Sequence, residues 1–285
     1  MGANTTYKDS VFSFLFSDPD VLRELYGAIT GIELAADVPI VINTLEGVLY
    51  KNLLNDISFE IGNKLVIILE HQSTVNPNLP LRILLYIARV YEKITAGRNV
   101  YGSRKLVIPR PEFIVLYNGA APYPDKTELK LSDSFEDALM PGYFDTLPRL
   151  ELLVTVYNIN DGHNEEIARR CGRLKGYSVF IAKARELETA TRDREKAMEV
   201  AVKWCIANGV LKEFLETHGT EVVNMLMAEW KLEDALVVER EEGREEGREE
   251  GREETVKNLL DFGMKAEQIS RALKIPLETV LRYVD

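Results

Sequence analysis

The run Leu65-Val66-Ile67-Ile68-Leu69 constrains this chain more than any other. Neighbouring residues of a strand face opposite sides of a sheet, so a run that is apolar at every position has two faces to bury. Such a strand belongs inside a sheet, with other structure packed on both sides. It is preceded by a second strand-like run, Leu53 to Glu60, and Ile61-Gly62-Asn63 between them reads as a hairpin turn. Helical periodicity is expected over residues 7–30, broken near Ser17-Asp18-Pro19, and again from Leu79 to Thr95, entered through Asn76-Pro77-Asn78. Two further strands are expected at 111–119 and 150–160, separated by a polar, Pro-containing excursion, and residues 164–238 read as helical throughout. The pattern is that of an α/β fold.

Composition narrows the class. The chain has 285 residues, 46% of them hydrophobic and 28% charged, enough for one large domain or a medium one with appendages. No run approaches 18 uncharged apolar residues, and the N-terminus lacks a basic segment followed by an apolar stretch, so a soluble cytoplasmic protein with no membrane partner is expected. Two cysteines, Cys171 and Cys205, are too few for a disulfide scaffold or a cysteine zinc site; both are expected to be small buried residues. His71, His163 and His218 show no metal-ligand spacing. The net charge of −11 is unevenly spread: residues 239–254 hold nine Glu and four Arg, whereas 163–185 hold six Lys/Arg against Glu165 and Glu166. Affinity for a polyanion follows local phosphate neutralisation rather than net charge, so the global sign excludes no nucleic-acid partner.

The C-terminal part differs in kind. Arg-Glu-Glu-Gly repeats from Arg240 to Glu254 set like charges at every i,i+4 spacing, and Gly243, Gly247 and Gly251 each cost about 1 kcal/mol relative to Ala. The segment 239–254 is expected to be a solvated, marginally helical linker. Residues 255–285 follow as a small module resembling a helix-turn-helix. Ile269, Leu273, Ile275, Val280 and Leu281 are its expected core, and Lys274 stands at the turn. Between Ala266 and Val284 its cations are Arg271, Lys274 and Arg282, which suits dimerisation or regulation better than independent DNA reading.

Asp56 and Glu70 are the candidate site. A carboxylate set in an apolar strand is costly unless something charged or strongly polar compensates it, and here one lies on each strand of the same hairpin. A three-residue turn, Gly62-Asn63-Lys64, sets Asp56 directly opposite Glu70; a two-residue turn puts the two on opposite faces. In the first register the carboxylates converge as a Mg²⁺ site, with Gln72 on the same face as Glu70 to orient a water or a phosphate. The alternative is that both simply face solvent or pair with Lys and Arg.

Taken together, Asp9-Ser10-Val11-Phe12, Asn55-Asp56-Ile57-Ser58-Phe59, Glu70-His71-Gln72-Ser73-Thr74, Leu81-Arg82-Ile83-Leu84-Leu85-Tyr86, Pro111-Glu112-Phe113 and Leu116-Tyr117-Asn118-Gly119 resemble the Rpn family of recombination-promoting nucleases, also described as transposases, within the PD-(D/E)xK nuclease superfamily. The similarity covers residues 5–185 and, loosely, the repeat tail. It implies a mixed four-stranded sheet flanked by helices, then a helical C-terminal region, with a nuclease-like domain at 5–185, a helical extension at 186–238, the linker at 239–254 and the terminal module at 255–285. The implied activity is Mg²⁺-dependent cleavage of DNA, with Mn²⁺ as a possible substitute and no small-molecule cofactor. Asp56 and Glu70 match the family's metal-binding acids, and Gln72 stands where the superfamily usually has Lys. Asp9 matches an acidic position of the first helix, to assist the metal or to cap the helix.

The basic residues complete the reading. Arg82, Arg89 and Lys93 lie near one helix face, and Arg169, Arg170, Arg173 and Lys175 form the densest basic cluster. Each group suits either contact with a DNA backbone or an ordinary solvated surface. Three functional classes follow: a metal-dependent DNA endonuclease, a non-catalytic DNA-binding or regulatory protein on a degenerate nuclease fold, and an oligomerisation protein built on the C-terminal helices. A homo-oligomer joined through those helices is expected in any of them.

Overall fold

Side-chain caps set where the first helices begin. Ser10 Oγ accepts from Ser13 N at 2.9 Å and opens α1, Val11–Leu15. Asp18 accepts from Asp20 N at 2.8 Å and, with Pro19 at the start, opens α2, Pro19–Thr30, which ends on Gly31 in a left-handed conformation. The computed structural model describes residues 10–42, 56–62, 64–71, 76–135, 149–191 and 193–283. Asp9 and Gln72 lie outside the described residues, as do the side chains of Asp56 and Glu70.

The chain is mixed α/β. The strands are β1 (Ile40–Ile42), β2 (Asp56–Ile61), β3 (Lys64–His71), β4 (Arg110–Tyr117), β5 (Lys126–Lys130) and β6 (Leu153–Asn158). Among the described residues they form one six-stranded sheet of order β1-β2-β3-β4-β6-β5, rather than the expected four-stranded one. The pairs β3–β4 and β4–β6 are parallel; β1–β2, β2–β3 and β5–β6 are antiparallel. The two unexpected strands are the edges. β5 reads Lys-Thr-Glu-Leu-Lys and alternates exposed with half-buried positions, which disguises it as loop and keeps other chains from pairing with it.

Helices cover both faces of the sheet. On one face α3, Leu79–Thr95, lays Leu79, Ile83, Tyr86, Ile87 and Val90 against Phe113, Val115 and Tyr117 of β4 and Val154 and Val156 of β6. On the other, Tyr26 of α2 meets Phe59 of β2 edge-on at 6.3 Å, and Phe12 of α1 meets Tyr177 of α5, Gly172–Thr191, at 5.6 Å. A short helix, α4 (Glu165–Arg170), precedes α5; α6 (Arg194–Ala207) packs back on α5, where Lys183 lies over the Trp204 ring at 5.1 Å.

The chain divides into two compact units, 1–228 and 229–285, so the division falls inside the segment expected as a helical extension. The expected linker is helical: α7 runs unbroken from Lys212 to Asp261. Three of the four residues in each repeat are good helix formers, and a turn added to an existing helix avoids the cost of nucleation. In the second unit α8 (Ala266–Leu273) and α9 (Leu277–Leu281) close on α7 around Val256, Ile269 and Val280, with Leu273 and Ile275 half-buried beside them. Leu281 is exposed, so Val256 of α7 takes the core place expected of it. Lys274 adopts φ +54° at the turn, the conformation for which glycine is the usual residue.

A polar clasp ties α2 to the starts of β3 and β4. Tyr26 Oη donates to Glu112 Oε2 at 2.5 Å, and Lys64 Nζ reaches Tyr26 Oη at 2.9 Å and Glu112 Oε1 at 3.0 Å. The hydrogen bond to Tyr26 leads the causes that hold the Lys64 ammonium above its ordinary value; burial leads those that raise the Tyr26 phenol. Both shifts favour the protonated fold, so their stabilisation is whole below the unfolded values, about 10, and is lost as pH rises through the higher folded ones. Lys64→Met is expected to lower the unfolding free energy by about 1–2 kcal/mol at pH 7 and to make the alkaline fall shallower. Denaturant titrations from pH 7 to pH 11 read both.

Candidate functional site

The register brings the candidate positions to one edge of the sheet. Asp56, the first residue of β2, pairs with Leu69 of β3, which pairs in turn with Val115 of β4 and through it with Val156 of β6. The next row is Glu70, Leu116 and Tyr157; the last is His71, Tyr117 and Asn158. Three parallel strands therefore end, and β2 begins, within a few residues of one line. This is the carboxyl edge, where open α/β sheets take their ligands.

The same register separates Asp56 from Glu70. Ile61 pairs with Lys64, so the hairpin turn has two residues, and Gly62 adopts the φ of +57° that a tight hairpin turn requires. Position 56 shares its face with Val115 and Val156, which pack against α3, whereas position 70 shares its face with Leu116, on the side of α2 and α5. Direct opposition of the two carboxylates, the expectation from a three-residue turn, is replaced by neighbouring rungs on alternate faces. Glu70 lies one residue beyond the last β2–β3 rung yet stays paired to β4. The N-cap of α1 is Ser10, which takes the capping role weighed for Asp9.

Sequence reasoning missed the polar network at this edge. Asn118 follows β4 and is 1% exposed; Asn158 ends β6 and is equally buried. Arg185 of α5 directs Nη1 to Asn118 Oδ1 at 3.4 Å and to Asn160 Oδ1 at 3.3 Å, while its Nη2 donates to the Asn118 carbonyl. Asn160 Nδ2 holds Asn158 Oδ1 at 2.9 Å and the Gly119 carbonyl at 3.1 Å, and Asn158 Nδ2 holds the Tyr123 carbonyl at 2.8 Å. The signal was legible as a Tyr-Asn pair closing both apolar strands, Tyr117-Asn118 and Tyr157-Asn158.

The basic residues do not form one surface. Arg82, half-buried, and Arg89, exposed, belong to α3 on one face of the sheet, whereas Arg169, Arg170, Arg173 and Lys175 belong to α4 and α5 on the other side. Arg169 and Lys175 line a cleft of about 710 Å³ with Asn160, His163, Glu166 and Ser178; Arg170 lines a separate one beside Glu24. The cluster is partly neutralised, because Glu166 takes both Arg169 Nη2 and Arg170 Nε at 2.8 Å. The hydrogen bond from Arg169, then that from Arg170, holds the Glu166 carboxyl below its ordinary value.

Among the described residues no cluster of three or more His, Cys, Asp or Glu is arranged to hold a metal ion, and no helix is long and apolar enough to cross a membrane. Comparison with protein-family models, with curated proteins and with solved structures finds no match.

Both cysteines are buried and free, as the sequence led one to expect. Burial pushes the Cys171 thiol up to about 12 and the Cys205 thiol up to about 11. The thiolate is the reactive form. The folded protein is therefore expected to resist alkylation by iodoacetamide at pH 8, and both residues are expected to react once the chain is unfolded in urea; intact-mass measurement counts the adducts.

Proposed function

We propose that this protein is a metal-dependent nuclease that hydrolyses phosphodiester bonds of DNA. The observation that carries the reading is the shared edge: Asp56, Glu70 and the Arg185–Asn118–Asn160 network stand at the end of the sheet where three parallel strands finish. The resemblance of Asn55 to Lys93 to the Rpn nucleases gives the chemistry, and two hard carboxylate donors suit Mg²⁺, with Mn²⁺ as its substitute. Because positions 56 and 70 fall on alternate faces, a shared ion requires β2 to leave the ladder at its last rung, where pairing with β3 ends. When bound, such an ion lowers the pKa of a water and offsets charge on a phosphoryl oxygen. The chain's own part is to hold the ion through Asp56 and Glu70, to orient water or phosphate through the Gln72 amide, and to grip the backbone through cations.

For that grip, Arg169, Arg173 and Lys175 belong to the helical layer on the Glu70 side of the sheet. Arg82 and Arg89, in the opposite layer, would touch a different stretch of backbone. The C-terminal helices are the proposed means of forming a homo-oligomer.

A second reading, a non-catalytic DNA-binding protein on the same fold, draws its support from the two-residue turn, which withholds direct opposition of the carboxylates.

Plasmid relaxation by the full chain separates the two. The nuclease is expected to nick DNA with Mg²⁺ or Mn²⁺, to stop in EDTA, and to lose about 100-fold or more in rate in Asp56→Ala and in Glu70→Ala, with circular dichroism unchanged. Cutting that survives both substitutions overturns the site. DNA binding with no product under either metal favours the second reading.

A further inference from the structure

Two buried side-chain nitrogens lack a hydrogen-bond partner among the described residues, Arg23 Nε and Asn118 Nδ2. Arg23 is otherwise engaged, its two terminal nitrogens each 2.7 Å from a carbonyl oxygen, of Ala35 and of Val38. Asn118 differs, because its whole amide NH2 is unmet in a side chain that is 1% exposed. A buried donor left unpaired is costly, and native structures keep few of them.

The orientation of that amide is fixed by chemistry. Its Oδ1 faces the Arg185 guanidinium, which has donors and no acceptor; turning the amide over would set NH2 against N–H. Arg185 thus fixes Oδ1 as the acceptor it binds and leaves the Asn118 NH2 as the unmet donor of the same amide. Arg185 is in turn held by neutral oxygens alone: Asn118 Oδ1, the Asn118 carbonyl and Asn160 Oδ1. Arg169 and Arg170 share the carboxylate of Glu166, whereas no carboxylate hydrogen-bonds Arg185 among the described residues. An unmet donor beside an uncompensated, half-buried cation calls for an anion that accepts from both.

We propose that Asn118 and Arg185, positioned by Asn160, form an oxyanion site that takes a phosphate group of a nucleic-acid backbone. The site lies at the carboxyl edge, with Asn118 two residues past Leu116, the partner of Glu70. Arg185 supplies from α5 the positive charge that the Gln72 amide lacks. The nucleic-acid source of the phosphate rests on the function proposed above; the anion site itself rests on the orphan donor and on a guanidinium held by neutral oxygens.

The test uses the full chain without divalent metal. Thermal unfolding is followed in rising inorganic phosphate at constant ionic strength balanced with chloride, and a labelled DNA duplex is titrated by fluorescence anisotropy in EDTA. Phosphate is expected to raise the Tm of the parent protein above the chloride control. Asn118→Asp keeps the acceptor for Arg185 and replaces the unmet donor with a negative charge. It is expected to melt no lower than the parent, to weaken phosphate binding about tenfold or more, and to weaken the duplex as well. Arg185→Gln, independent of any folding effect at position 118, is expected to lose the phosphate response too. A parent protein indifferent to phosphate, or an undiminished response in both variants, overturns the site. Phosphate protection that depends on Asn118, in a protein that binds no duplex at low salt, upholds the anion site and overturns its nucleic-acid source together with the nuclease reading.

Discussion

The need to bury both faces of β3 and β4 organises the first unit. Phe113, Val115 and Tyr117 of β4 must be covered on one side, Ile114 and Leu116 on the other, and one layer of helices cannot do both. α3 supplies the first cover and α1, α2 and α5 the second. Running β3 to β4 in parallel requires a crossover long enough to hold a helix, and α3 is that crossover. The same choice brings the strand ends to one edge. Parallel strands finish together, and the antiparallel β2 starts where they finish, so polar residues spaced far apart in the chain, Asp56, Glu70, Asn118 and Asn158, meet at one line of the sheet.

Much of this was legible because local chemistry and burial agree. α3 spans Leu79–Thr95, as the periodicity and the Asn-Pro approach led one to expect, since a proline near its start and an apolar stripe mark the same helix. The hairpin was legible too, but its register was not, and the reason is physical. Register is fixed where one face is apolar and the other polar, and Leu65 to Leu69 is apolar on both. The turn then decides, and Gly62 serves a two-residue or a three-residue turn equally well. The strand that best announced the fold was therefore the strand least able to say which residue stands opposite Asp56.

The helix through the repeats was legible only as a marginal one, for a different reason. Like charges at i,i+4 and a glycine in every repeat argue against a helix starting there, and starting is what a local reading of that segment weighs. Within Lys212–Asp261 the repeats only continue a helix, and Glu and Arg continue one well. Edge strand β5 escaped because its exposed Lys and Glu are features of a protected edge and of a loop alike.

Counting cations misjudged where charge is available. By sequence, residues 163–185 are the most basic stretch, with Arg169, Arg170, Arg173 and Lys175 at its centre. In the fold, Glu166 binds two of those arginines at once, so their joint field is that of one charge rather than two. Arg185, at the end of the same stretch and outside the dense cluster, keeps its full charge because the groups around it are amides and carbonyls. Solvent screens an exposed cation within about 10 Å; one set among buried amides is screened less and has its direction fixed. In a chain whose net charge is −11, such a place, where neutral acceptors orient a cation without cancelling it, keeps a local positive field.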